Sequence, residues 1–216
     1  MQNKSEVGSM KTISPEIHPG AKALIFDLDG TISDSLPVHL TTWNKVCAHY
    51  QCRFNEKIIT ELTGAPTIRF AERVIEENGL KGVKPEEIVR LKQSTFWENA
   101  HLLKPHPEIV ELVYRCHGHL PMAIGTGASR RSAMVQLEQL DLLRYFDAIV
   151  TADDVNRHKP EPETFQKCAR LMKTVPSRCQ VFEDGLLGMQ AARTAGMYLT
   201  DVRPFLNQGR SNSLIP

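Results

Sequence analysis

No stretch of the 216 residues approaches the roughly 18 consecutive apolar residues that span a bilayer, so the sequence predicts no membrane-crossing helix. The first twenty residues, MQNKSEVGSMKTISPEIHPG, lack the uninterrupted apolar core of a secretory signal and are expected to form a poorly ordered leader. There is no CxxC pair. Five cysteines, Cys47, Cys52, Cys116, Cys168 and Cys179, are an odd number and fit reduced packing thiols better than a disulfide framework. Lysines and arginines are spread along the chain and the net charge is only +1, so no electrostatic footprint for a nucleic acid is present. Internal repeats and low-complexity tracts are also missing. The expectation from these absences is a soluble, cytoplasmic globular protein, monomeric or weakly oligomeric, with no nucleic-acid or membrane partner.

What is present begins at ALIFDLDGT, residues 23–31. Ala23, Leu24, Ile25 and Phe26 form a short, continuous apolar run, the pattern of a strand buried on both faces. The run stops at Asp27 and Asp29, and Gly30 breaks the strand. Two acids one residue apart are costly to bury, because they repel each other and lose solvent. At the carboxyl end of a parallel strand the same pair would present oxygen ligands to a cation and a substrate. An ordinary acidic turn is the plainer reading of these residues alone.

Downstream, residues 35–50 carry apolar residues at helical spacing, with Ser35 as a candidate cap and Pro37 in the first turn. NEKIITEL, TIRFAERVIEENG and PEEIVRLKQSTFWENA continue the helical pattern with no convincing strand between them. Residues 35–102 therefore read as an all-helical unit inserted after the first strand. From Pro105 onward, helices alternate with four further strand patterns in PMAIGTGAS, FDAIVTADD, CQVFEDG and MYLTDV. Alternation of this kind implies an α/β fold with a doubly wound parallel sheet and right-handed crossovers. The expected organisation is a leader over 1–20, an α/β core over 21–34 and 103–216 ending in a surface tail, and a helical cap over 35–102.

Strand ends in such a sheet emerge on one edge, which brings useful residues together. Asp27 is the candidate nucleophile, since a carboxylate can attack phosphorus and hold it as an aspartyl phosphate. Asp29 would act as acid and then base. Asp184, with Asp27 and the backbone carbonyl of Asp29, offers hard oxygen ligands that suit Mg²⁺, and Glu183 is either a further ligand or an acceptor that orients one. Lys159 supplies positive charge to phosphoryl oxygens. Thr126 offers a hydroxyl, with the Gly127 and Ala128 amides at a helix start where anions bind. Each has a plain alternative: Thr126 a cap, Lys159 a solvated lysine, Glu183 and Asp184 a helix N-terminus favoured by its dipole.

The order DLDGT, then Thr in GTG, then Lys before Pro, then ED before Gly resembles the four motifs of the haloacid dehalogenase-like superfamily. The helical insertion is similar to its helical-cap subgroup, and within that to the β-phosphoglucomutase-like branch and its fructose-1-phosphate phosphatase type. LTGAPTIRFAERVIEENG, YFDAIVTADDV, HKPEPETF and VFEDGLLGMQAARTAGM carry the closer likeness, over about residues 21–203. The resemblance implies a Mg²⁺-dependent phosphatase of small phosphorylated sugars, with the roles above for Asp27, Asp29, Thr126, Lys159, Glu183 and Asp184. It also brings His39, Trp43, Thr63 and its loop, and Arg69 forward as cap residues facing substrate; core packing for Trp43 and a surface ion pair for Arg69 stand as alternatives. A mutase of this branch carries a lysine and an arginine where this chain has Thr63 and Thr67. Losing two cations that would retain a bisphosphate favours hydrolysis, while His39 keeps the mutase reading open. A non-catalytic phosphosugar-binding module is the reading from another class, set against the retention of every motif acid.

Overall fold

A computed structural model of the chain describes residues 14–206; the tail NQGRSNSLIP and residues 1–13 of the expected leader lie outside it. Residues 14–20 are packed rather than loose. The Gln180 side chain donates to the Glu16 carbonyl and accepts from the His18 amide, and the His18 ring stacks on Tyr198 at 3.6 Å.

The apolar run is strand β1, Ala23–Phe26, and all four of its residues are fully buried. Its period of two divides the core. Leu24 and Phe26 face one side, packed with α5 (Pro107–Cys116) and α6 (Arg130–Gln139); Ala23 and Ile25 face the other, packed with α7 (Glu163–Leu171) and α8 (Leu186–Thr194). Helices on both faces are what a strand without a polar side requires. β4 (Met122–Gly125), β5 (Ala148–Val150), β6 (Cys179–Glu183) and β7 (Tyr198–Asp201) complete a five-stranded parallel sheet in the order β5-β4-β1-β6-β7. The chain leaves β1 toward β4 on one side and returns to β6 on the other. The strand order therefore reverses between β1 and β6, where the carboxyl ends diverge and leave a crevice.

Between β1 and β4 come α1 (Leu36–His49), α2 (Lys57–Leu62), α3 (Thr67–Asn78) and α4 (Pro85–Glu98), with a 3-10 turn at Ala100–Leu102. They have an apolar centre of their own around Trp43, Val46, Ile58, Val74 and Ile88, with Trp43 stacked on Phe54 and Phe70. A second, smaller cluster of Val38, Phe96, Ala100 and Leu103 joins these helices to Val135 of α6. The two chain crossings are tied by β2 (Ser33–Asp34) and β3 (Lys104–Pro105), an antiparallel pair too short to show as a period in the sequence. No helix among the described residues is long and apolar enough to cross a membrane.

Leu24 lies on the central strand with no exposed surface. Leu24→Ala should lower unfolding free energy by about 2–5 kcal/mol, read as a fall in the urea midpoint at constant slope. A loss below about 1 kcal/mol would contradict the placement of this strand at the centre of the core.

Candidate active site

Three of the four strand ends that the sequence nominated open into one cavity of about 370 Å³, with Asp27, Asp29, Thr126 and Asp184 among its walls; Lys159 and Glu183 lie behind that wall, bonded to each other and, through Lys159, to Asp27. The helical segment closes its other side with His39, Trp43, Thr63 and Thr67.

The centre of the site is a buried ammonium. Lys159 Nζ donates to Asp27 Oδ1 at 2.6 Å and to Glu183 Oε2 at 2.7 Å, and its side chain is 1% exposed. Phe165 lies beneath it, with the ring centroid 4.6 Å from Nζ. Burial alone would lower the lysine's proton affinity, and the two carboxylates outweigh it, so Lys159 is held above the usual lysine range. The alternative of a solvated loop lysine is thereby excluded.

Asp184 joins the two acids that hold this ammonium, and each of Asp27, Glu183 and Asp184 has an oxygen within 4.8 Å of the others. Burial, followed by the charge of Glu183, raises Asp27 well above the carboxylate range; the same two causes push Asp184 up to about 7. Three acids sharing one ammonium lack positive charge, and a hard divalent cation fits that deficit. Glu183 has both oxygens engaged, Oε1 by the Gly185 amide at 2.9 Å and Oε2 by Lys159. Asp184 Oδ1 accepts from the Thr31 hydroxyl at 2.9 Å. Close packing fixes these acids. A Cβ on Gly188 would collide with the Glu183 carboxylate, and one on Gly30 with Asp184; Gly30 also has φ +83, open to glycine at little cost.

Asp29, two residues from Asp27, lives in the opposite environment. Its Oδ1 accepts from Ser35 Oγ at 2.7 Å, His39 Nε2 at 2.9 Å and Gln136 Nε2 at 3.0 Å. Burial raises its carboxyl, but His39, Ser35 and the charge of Lys92 overcome this and hold it well below the carboxylate range. Ser35 was expected to cap α1. Instead its side chain makes no capping bond, and its hydroxyl is spent on Asp29. Burial and then the nearby Lys92 lower the pKa of His39, whose ring stacks on Phe96 at 4.7 Å. The ring donates through Nε2–H to the carboxylate oxygen, which can only accept.

Thr126 is buried, and its Oγ1 accepts from the Ala128 amide at 3.0 Å. That amide is therefore used within the loop, while the threonine O–H remains for the cavity. Backbone meets backbone at Gly127, where a Cβ would collide with the Gly64 carbonyl of the loop between α2 and α3. Thr63 lines the cavity with its hydroxyl bonded to the Ile59 carbonyl at 2.7 Å. Trp43 reaches the wall from the helical core, so both roles considered for it are present. Arg69 stands on the exposed face of α3, 3.5 Å from Glu72 and 65% exposed, and does not reach the cavity.

Several cavity residues were not nominated, and two of them act on the surroundings of Asp29. Gln136 is fully buried on α6, and Lys92 is buried on α4, its Nζ 4.7 Å from the Phe96 centroid with no ion-pair partner among the described residues. Ile88, Lys92 and Phe96 fall at i, i+4 and i+8 along one buried stripe. A lysine on an apolar stripe was the available signal.

Comparison with known proteins was made on this geometry. The family model described as haloacid dehalogenase-like hydrolase matches residues 24–202. A fructose-1-phosphate phosphatase of Escherichia coli, YqaB, is 43% identical over 183 residues, spanning 83% of this chain and 95% of its own. The β-phosphoglucomutase of Bacillus subtilis is 27% identical over 84% of this chain and 83% of its own. Among solved structures, the β-phosphoglucomutase of Clostridium difficile superposes with a TM-score of 0.73 at 22% identity, covering 83% of each chain. CbbY of Rhodobacter sphaeroides, solved with phosphate, gives 0.74 at 22% identity over 83% of this chain and 84% of its own. At those identities the likeness to the two structures is one of fold.

Burial pulls the Lys92 pKa down to about 8, with the charge of Asp29 opposing. Its unfolded value lies near 10.4, so folding with the ammonium costs on the order of 3 kcal/mol below about pH 8. The penalty fades as pH rises from 8 to 10.5, where the unfolded state also loses the proton. Lys92→Met should therefore raise Tm at pH 7 and leave it nearly unchanged at pH 10.5, by calorimetry at both. A lower Tm at pH 7 would show that Lys92 stabilises the fold instead.

Proposed function

We propose, from the premise that the chain belongs to the haloacid dehalogenase-like hydrolases, that it is a Mg²⁺-dependent phosphatase acting on a small phosphorylated sugar, fructose 1-phosphate or a near relative. The observation that carries this reading is the pairing of two unlike aspartates on one cavity. Asp27 is clamped by Lys159 among acids, and Asp29 stands two residues away under the Ser35, His39 and Gln136 donors with the Lys92 charge nearby. One is set up to attack phosphorus, the other to manage the proton.

In this reading Asp27 attacks the phosphoryl group through the oxygen that Lys159 leaves free, and the P–O bond to the sugar breaks. Asp29 donates a proton to the departing alkoxide, then takes one from the water that cleaves the aspartyl phosphate. Lys159 and the Thr126 hydroxyl face the phosphoryl oxygens, with the Gly127 amide beside them. A divalent cation would be held by Asp27, Asp184 and the Asp29 carbonyl, and would offset the charge repulsion between Asp27 and a dianionic phosphate. Glu183, with both oxygens engaged, fits the role of fixing Lys159 and the loop better than that of a direct ligand.

Residues 35–102 would serve as a cap on a core of 21–34 and 103–216, excluding water when closed and reading the sugar with His39, Thr63, Thr67 and Lys92. Five free thiols agree with a reducing, cytoplasmic setting. The proposed enzyme works on a small molecule without nucleic acid or membrane, as a monomer or weak oligomer. Lys92 favours a second reading, since a buried cation on the cavity could retain a second phosphate, as a phosphomutase must. Against it, Thr63 and Thr67 bring no cation to the loop that meets Gly127.

Phosphate release should be measured over a panel of phosphosugars with Mg²⁺, with β-glucose 1-phosphate assayed in parallel for isomerisation. Release from fructose 1-phosphate is expected, with loss of all turnover in Asp27→Asn and after chelation of the metal. Isomerisation without release would establish the mutase instead; no turnover of any phosphosugar would sink both.

A further inference from the structure

Asp29 is gripped through a single oxygen. Oδ1 accepts three hydrogen bonds, from Ser35, His39 and Gln136, at 2.7, 2.9 and 3.0 Å. Those donors fill the space around Oδ1, so a proton placed there would have to displace one of them. Its companion Oδ2 has no such partner among the described residues, and the Asp29 side chain keeps 26% of its surface open. The proton that the proposed reaction moves therefore travels on Oδ2.

The three donors come from different parts of the fold. Ser35 and His39 sit at the start of α1, on the helical segment next to the chain crossing. Gln136 comes from the opposite direction, on α6, between Ala133 and Leu137, which are buried against the sheet. Of the three side-chain donors it alone comes from the sheet-and-helix framework that also carries Lys159 and Asp184.

Gln136 also carries a defect. Its side chain is fully buried, Nε2 is used on Asp29, and Oε1 has no hydrogen-bond partner among the described residues. Turning the amide round would set an oxygen against the carboxylate, so the orphan is the better of the two orientations. Leucine or methionine would fill this place on α6 without a stranded oxygen. A buried polar atom left unsatisfied calls for an explanation other than packing.

We infer that Gln136 is a positioning residue for the acid and base of the reaction, holding the Asp29 carboxylate from the sheet side so that Oδ2 faces the leaving oxygen while the helical segment moves. This inference rests on the proposed role of Asp29, and it adds a residue that the motifs do not contain.

The test compares Gln136→Met with wild type on an alkyl phosphate and on 4-nitrophenyl phosphate. Methionine matches the glutamine in length and removes both the donor and the orphan oxygen, so Tm should stay equal or rise. On the alkyl phosphate, whose alkoxide must be protonated as it leaves, kcat should fall by about tenfold to a hundredfold while KM stays within about twofold. 4-Nitrophenolate leaves without a proton, so the first burst of nitrophenolate should keep its amplitude and its rate within about threefold. The slower turnover that follows should fall, because Asp29 is still needed to activate water. Gln136→Glu, which sets a second carboxylate against Asp29, should lose at least as much kcat on the alkyl phosphate.

Equal loss of burst and alkyl turnover in Gln136→Met would overturn the inference in favour of a structural role, as would a Tm clearly below wild type. A raised KM at unchanged kcat would make Gln136 a substrate contact instead. Wild type alone, run over the phosphosugar panel, decides the substrate reading. The ratio of variant to wild type decides Gln136, and it is read on any alkyl phosphate that the enzyme turns over.

Discussion

One ammonium held between two carboxylates, all three out of water and with a third carboxylate beside them, is the constraint on which the rest of the structure depends. Lys159 is caught between Asp27 and Glu183, and neither acid has solvent to fall back on. Removing the lysine would strand two buried anions, a far larger penalty than any single surface contact. The backbone around the site is shaped to keep this group intact. Gly188 leaves room for the Glu183 carboxylate, Gly30 for Asp184, and the parallel pairing of β1 with β6 holds Asp27 next to Glu183 in space although 156 positions separate them in sequence. The remaining negative charge is of the kind that could hold a divalent cation.

The same loop holds a second aspartate under the reverse conditions. Asp27 is pushed up by acids and burial, while donors and a nearby lysine hold Asp29 down. Environments that drive two carboxyls apart are the usual means by which one site contains both a nucleophile and a proton carrier. Asp29 is an anion when the site is empty, so it needs a reason to take up a proton. A phosphoryl dianion bound beside it would provide one, since a like charge within a few ångströms favours the neutral acid.

Much of the sheet and its strand-end residues was legible because the signals are local. A buried parallel strand is a short apolar run, its end is an abrupt acid or glycine, and parallel topology makes all such ends meet. Asp27, Asp29, Thr126, Lys159, Glu183 and Asp184 were nominated on that ground. What was not legible depends on which face of a helix meets which neighbour. Ser35 looks like a cap by position, yet its hydroxyl has a stronger acceptor in Asp29. Arg69 sits near the right loop but on the outer face of α3, where Glu72 takes it. Lys92 and Gln136 carry no motif at all. Each is a polar residue inside an apolar stripe, at i+4 from Ile88 and i+3 from Ala133, and that inconsistency in pattern was their only trace. Residues 14–20 read as a leader because they are polar and rich in turn formers, and it is Gln180 and Tyr198, far along the chain, that hold them.

The seam between the two parts of the molecule sets a condition on how the cavity is filled. The carbonyl of Gly64 lies against Gly127, and Thr63 against Gly185, with no space for a Cβ on either glycine of the sheet side. Contact that close between backbones leaves no passage for a phosphosugar along this edge. Gly64 also lies over the Lys159 stem, so the loop that lines the cavity touches the side chain that holds Asp27 and Glu183. Separation of the segments, pivoting near the β2–β3 pair, would open the seam and carry Ser35 and His39 with α1. Two of the three donors on Asp29 would thus belong to the side that moves. A carboxylate held only from that side would swing with every opening and would have to find its orientation again at each closure. An anchor on the sheet side removes that search, and Gln136 is the one donor to Asp29 placed to provide it.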